Sequence, residues 1–235
     1  MNFLSQLVIV TAGIVAFEAQ AKEYRISFQS NWNLEDHLAT PRSAHFSPIV
    51  AVSHNHKYDL LPFGQTAGAG LENVAELGNA TVILEELAAE IEAGTVGAVT
   101  QTPDLFINRS INQSFVVDIT PEHPYLSFAT MIAPSPDWMV GISNLKLYSE
   151  STGFYPGITK PYPLFAIDAG TESGDFGGNF SLNNRDTDPV GTISFLTGRG
   201  FAAPFAYITI EPVEVEEDEV VEEGTDVETI PSSQQ

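Results

Sequence analysis

The sequence predicts a mainly β fold, a sandwich or barrel of short strands with a small helical insertion. Two observations point there. From Thr95 onward, runs rich in Val, Ile, Phe, Tyr and Thr are separated by clusters of Pro, Gly, Asn and Asp, and many short strands with turn-rich connections close into packed sheets. Only Thr81–Ala93 repeats its apolar residues convincingly at the helical period. In chain order, Glu23–Ser30 alternates polar and apolar residues, the period of a half-buried strand. Ala44–Ser53 is extended but interrupted by Pro48, and Leu71–Leu77 suits a short helix. Thr81–Ala93 gathers Val82, Ile83, Leu84, Leu87, Ala88 and Ile91 into one stripe, turns Glu85, Glu86, Glu90 and Glu92 mainly to water, and stops at Gly94. The remaining strands are expected at Thr95–Thr100, Gln113–Thr120, Tyr125–Ile132, Met139–Tyr148, Leu164–Ile167, Gly191–Thr197 and Ala206–Val213. The helical insertion is expected to pack on an edge or end of the sheets.

The 235 residues leave room for one domain of about 190 residues plus appendages. The absence of cysteine excludes a disulfide framework, a zinc-thiolate site and a thiol nucleophile. The net charge is −22, and ten of the 31 acidic residues lie between Glu211 and Glu228, leaving 21 acids against nine bases, about −12, for the rest. Nucleic acid needs clustered Lys and Arg and is excluded as a partner class, whereas cations and basic partners are favoured. Residues 214–235, acidic and without aromatics, read as a tail that buries little.

Residues 1–21 read as a signal peptide. Phe3–Phe17 is mostly apolar, and Ala19-Gln20-Ala21 fits a cleavage site that leaves Lys22 first. The apolar run is short for a membrane span, and no second run follows it. A secreted, periplasmic or cell-surface location is therefore expected, with a domain over 22–213.

Two short acidic loops stand beside apolar runs: Met131–Trp138, which contains Asp137, and Asp168–Gly174, which contains Glu172. Carboxylates held on Pro- and Gly-rich turns suit a hard cation such as Ca²⁺, and equally describe ordinary polar loops. These segments resemble the spondin domain family, and further landmarks fall in that family's order. They are Tyr24 and Phe28 with Trp32; Pro41 and Ala44-His45-Phe46-Ser47-Pro48 with Ser53-His54; Gly70-Leu71 with Ala75-Glu76 and Gly78; Leu126-Ser127-Phe128 running into Ser135-Pro136-Asp137-Trp138 and Val140-Gly141; and Asp168-Ala169-Gly170-Thr171. The resemblance spans about Glu23 to Val213. It implies an antiparallel β-sandwich similar to the C2 domain, with Ca²⁺ held by loops at one end. The implied ligands are Asp137, Asp168 and Glu172, with backbone carbonyls near Ile167 and water completing the shell. The family pattern has Asp where this chain has Glu172, so that carboxylate reaches one methylene farther. Asp175 is a possible extra ligand.

Other motifs carry less. His54 and His56, with His45 or His37, sketch a transition-metal site, but His54 falls in a Ser-His landmark better suited to a structural hydrogen bond. Trp32, Trp138 and the Phe-rich strands read as core, although exposed aromatics would instead suit a sugar platform. Asp118, Glu122 and His123, flanked by Pro121 and Pro124, read as a turn. A Ser/His/Asp triad has no Gly-x-Ser-x-Gly elbow behind it. Asn79, Asn108, Asn112 and Asn179 head glycosylation sequons. The resemblance implies adhesion to an extracellular or cell-surface protein or glycan partner, without catalysis. The alternative is a secreted metal-dependent hydrolase of surface polysaccharide or peptide.

Overall fold

Alternation in β1 (Lys22–Ser30) turns Tyr24, Ile26 and Phe28 fully inward and leaves Arg25, Ser27 and Gln29 in solvent. The computed structural model describes residues 21–103, 112–174, 186–187 and 189–214. Residues 1–20 of the expected signal, the tail beyond Glu214, Asp175, Asn108 and Asn179 lie outside the described residues. After β1 come β2 (His45–Phe46), β3 (Val50–His54), α1 (Ala69–Leu77), α2 (Thr81–Glu92), β4 (Val96–Gln101), β5 (Asn112–Ile119), β6 (Tyr125–Ala133) and β7 (Trp138–Lys146). The chain continues through β8 (Tyr148–Ser149), β9 (Gly153–Phe154), β10 (Ile158–Leu164), β11 (Ile167–Asp168), β12 (Ser194–Phe195) and β13 (Ala206–Pro212).

The strands form an antiparallel β-sandwich. One sheet runs β10-β13-β1-β5, and the larger runs β12-β11-β7-β6-β3-β4, with β2 also paired to β6. Tyr24, Phe28, Phe46, Phe128, Trp138 and Phe205 fill the space between the sheets. Trp32 and Trp138, 3% and 1% exposed, belong to this core as expected.

The helical insertion lies elsewhere than the sequence suggested. Instead of an edge or end, α1 and α2 cover the outer face of the larger sheet. Leu71, Val74, Ile83 and Leu87 pack there on Val50, Val52, Ala129 and Met139. β6 is consequently buried on both faces from Leu126 to Ala133, the pattern of a strand between two layers rather than the alternation of a half-wet one.

Three expected strands are divided. Pro48 splits Ala44–Ser53 into β2 and β3, and the Ser47 hydroxyl accepts the Met131 N–H at 2.9 Å where the ladder breaks. Met139–Tyr148 divides into β7 and β8. Leu164 ends β10 in the smaller sheet while Ile167 begins β11 in the larger one, so Phe165-Ala166 carries the chain between sheets. Gly191–Thr197 contracts to β12.

Candidate functional site

Asp137 ends the turn between β6 and β7, and Asp168 ends β11. The pairing of Asp168 with Trp138 brings the two acidic loops together, and the Ala169 N–H donates to the Asp137 carbonyl at 3.1 Å. The second loop then coils around the Asp137 side chain. Asp137 Oδ2 accepts the backbone N–H groups of Thr171 at 2.8 Å and Glu172 at 3.0 Å, and the Thr171 hydroxyl at 3.3 Å. Asp168 Oδ1 accepts the Gly170 N–H at 2.7 Å.

Gly170 permits this coil. Its φ of 77° is left-handed, and a Cβ there would meet the Gly191 and Thr192 backbone at 2.8 and 2.7 Å. The Gly191 N–H and the Thr187 hydroxyl both donate to the Gly170 carbonyl, each at 2.7 Å, which ties the loop to the segment after it.

Asp137 is fully buried, and its Oδ1 accepts no hydrogen bond from any described residue. A buried carboxylate oxygen without a donor is costly unless a positive charge or a proton reaches it. Asp168 lies close enough to Asp137 for each carboxyl group to sense the other. Burial first, and then the Asp137 charge, push Asp168 up to about 6.

The structure therefore brings Asp137 and Asp168 together. It places Glu172 in the same loop, with its N–H serving Asp137. Among the described residues no three His, Asp or Glu side chains converge as a metal-holding group. The oxygen-only donors and the orphaned Asp137 Oδ1 fit Ca²⁺ in kind, but two carboxylates fall short of its 6–8 oxygens.

One participant was invisible in the acidic loops themselves. Glu76, in the last turn of α1, interacts with the Thr171 side chain and senses the charges of Asp137 and Asp186. Burial first, and then the Glu72, Asp137 and Asp186 charges, raise its pKa, while the Thr171 hydrogen bond pulls it back. Its link to Asp137 is tertiary; in sequence it appeared only beside Ala75, as one landmark among many.

Among the described residues the histidines do not assemble a transition-metal site. His54 is fully buried, with Nε2 2.8 Å from Ser127 Oγ and Nδ1 2.8 Å from the Asn55 carbonyl, so both ring nitrogens are engaged. His56 lies exposed beyond the end of β3. His37 is buried against Phe205, ring centroids 4.0 Å apart. Ser127 and His54 form a serine–histidine pair, but both are fully buried, so a substrate cannot reach the hydroxyl. Exposed aromatics gather elsewhere. Phe63 and Phe195 stack at 4.8 Å and, with Tyr162 and Phe165, line a groove of about 370 Å³ between β10 and the β7 side of the larger sheet.

Comparison with known proteins adds the family. The family model described as Spondin_N matches residues 22–214. Spondin-1 of Homo sapiens is 34% identical over 182 residues, covering 74% of this chain and 22% of that protein. Spondin-1 of Gallus gallus is 33% identical over 183 residues, again 74% of this chain and 22% of the relative. Spondin-2 of Homo sapiens is 30% identical over 199 residues, which is 81% of this chain and 57% of the relative. The chain thus spans less than two thirds of the length of these relatives.

Proposed function

Because the chain belongs to the Spondin_N family, we propose that it works outside the cell as a recognition or adhesion domain whose acidic loop end binds Ca²⁺. One observation carries the cation half of this reading: the fully buried Asp137, with an oxygen that accepts no hydrogen bond from any described residue, faces a second carboxylate. Two adjacent carboxylates repel unless a proton or a cation lies between them. Asp137 and Asp168 would hold the ion, Glu172 would contribute an oxygen by a side-chain adjustment, and backbone carbonyls and water would supply the rest. The bound ion would neutralise the pair and fix the two loops against each other. The ion's role is structural, since oxygen donors without a neighbouring imidazole differ from the usual catalytic zinc set.

The partner class is an extracellular protein or glycan. The buried Ser127–His54 pair argues against serine-type hydrolysis, and oxygen donors without a neighbouring imidazole argue against a metal-dependent hydrolase of the zinc type. Thermal unfolding with and without Ca²⁺ tests the site. The wild type should gain stability with Ca²⁺, Asp137→Asn and Asp168→Asn should lose that gain, and Glu172→Gln should lose less of it. An absence of Ca²⁺ binding at millimolar concentration removes the site from the reading. Retention on immobilised matrix proteins or glycans, set against turnover of a substrate panel, tests adhesion against hydrolysis.

A further inference from the structure

We propose that Glu76, on the helical insertion, is a positioning residue of the cation site, acting on Asp137 through Thr171, so that a bound divalent ion fastens α1 to the loop end of the sandwich. The inference rests on the Ca²⁺ reading above and extends it to a residue outside the two acidic loops.

Four observations lead there. First, Glu76 occupies an unfavourable place for a carboxylate. It is half-buried in the last turn of a helix that has no basic residue in that turn, where the macrodipole is negative. Its electrostatic neighbours Glu72, Asp137 and Asp186 are all acidic. Second, its position is held by packing. α1 ends at Gly78 in a left-handed conformation (φ 63°), and a Cβ there would lie 2.7 Å from Ser47 Cβ. Ser47 in turn holds the Met131 N–H of β6 at 2.9 Å, just before the Asp137 turn. Third, Thr171 joins the two carboxylates. Its N–H donates to Asp137 Oδ2 at 2.8 Å and its hydroxyl to the same oxygen at 3.3 Å, while the Glu76 carboxyl interacts with that side chain from the helix side. Fourth, the buried Asp137 Oδ1 accepts no hydrogen bond from any described residue.

A cation beside Asp137 makes sense of all four. It offsets the charge gathered around Glu76, and Glu76 fixes the Thr171 side chain that orients Asp137. Residues that orient a metal ligand without touching the ion typically alter affinity about 10–100-fold when removed.

The test is calorimetric titration of the whole chain with CaCl₂ at neutral pH, paired with melting temperatures in EDTA. Glu76→Gln should weaken Ca²⁺ binding about tenfold or more, while its melting temperature in EDTA stays level or rises, because a crowded carboxylate has gone. Glu72→Gln removes the same charge one turn earlier and should change affinity by less than about threefold, as expected for a screened surface charge. Glu76→Asp should recover part of the loss. Equal weakening by Glu72→Gln and Glu76→Gln would reduce the effect to net charge and overturn the inference. So would unchanged affinity in Glu76→Gln, or a lowered melting temperature in EDTA with affinity kept, which marks a structural residue only. A wild type that binds Ca²⁺ and loses it on Asp137→Asn, but not on Glu76→Gln, sinks this inference alone; a wild type that binds none sinks the Ca²⁺ reading beneath it.

Discussion

Ser127 serves two partners through one oxygen. Its Oγ lies 2.8 Å from His54 Nε2 and accepts the Asn144 N–H at 2.8 Å. The Asn55 carbonyl can only accept, so in the neutral ring Nδ1 carries the proton and Nε2 accepts from the Ser127 hydroxyl. Asn144 has a left-handed φ of 56°, beside an irregularity in the β6–β7 register, so the same hydroxyl holds a bulge in place. Ser127→Ala leaves the buried His54 Nε2 unpaired and removes the acceptor of the Asn144 N–H, and should cost about 1–3 kcal/mol, read as a shift of the denaturation midpoint at unchanged slope; a cost below about 0.5 kcal/mol would mean that the network contributes nothing net. Burial holds the His54 pKa below its ordinary 6.5. Its contribution is therefore fully present above about pH 6.5 and is lost as the pH falls through the lower folded value. The sequence already marked His54 for a structural hydrogen bond, because it stands in a Ser-His landmark, and Asp137 and Asp168 were equally legible because each sits at a turn beside an apolar run. Glu76 was not, because its link to Asp137 depends on how a helix lands on a sheet.

The strands that buried alternately or carried β-branched runs were readable; those shaped by tertiary contacts were not. β10 contains Pro161 and Pro163, which argue against a central strand. It is nevertheless a strand because it lies at the edge of the smaller sheet, where missing N–H groups can face outward, and its register shifts along β13. Such prolines also blunt an edge against pairing with other chains. The insertion was legible as two helices, yet its landing place was hidden because an apolar stripe says that something is covered without saying what. Its stripe covers Val50, Val52, Ala129 and Met139, and Gly141 of β7 sits hard against the neighbouring strand β6 and the Leu61 side chain. A Cβ at Gly141 would stand 2.3 Å from the Phe128 carbonyl oxygen and 2.9 Å from Leu61 Cδ1. The first obstacle is backbone and cannot swing aside. Gly141→Ala should therefore destabilise by about 1–3 kcal/mol or more, the usual cost of overpacking. Calorimetric melting should show it as a fall of several degrees, and an unchanged melting temperature would mean that β6 and β7 can spread there.

Across the whole molecule, the proposed Ca²⁺ site would set proton and cation in competition for one place. The chain carries a net charge of −22, and the fold draws Asp137 and Asp168 together with Glu76 nearby instead of dispersing them. Asp168 has a folded pKa of about 6 against an ordinary 3.8, raised first by burial and then by Asp137. A raised carboxylate makes the folded state the better proton binder. Its stabilising contribution is complete below about pH 3.8 and disappears as the pH rises through about 6. Without Ca²⁺, this site should therefore weaken the fold as the pH rises between those values, opposite in sign to His54, whose contribution is lost as the pH falls below about 6.5. On the proposed Ca²⁺ reading the trend would reverse, because the ion would require both carboxylates ionised and its binding would expel the Asp168 proton. At a hundredfold excess over Kd such an ion would stabilise by about 2.7 kcal/mol, worth roughly 5–10 °C in a domain of this size. The expected result is a Ca²⁺-induced rise in melting temperature that is small at pH 5 and approaches that range at pH 7, with about one proton released per ion near pH 6 when titrations in buffers of different ionisation heat are compared. Asp168→Asn should abolish both the rise and the proton release. A Ca²⁺ effect of equal size at pH 5 and pH 7 would place the ion away from Asp168 and leave the Asp137–Asp168 pair to be held by its proton alone.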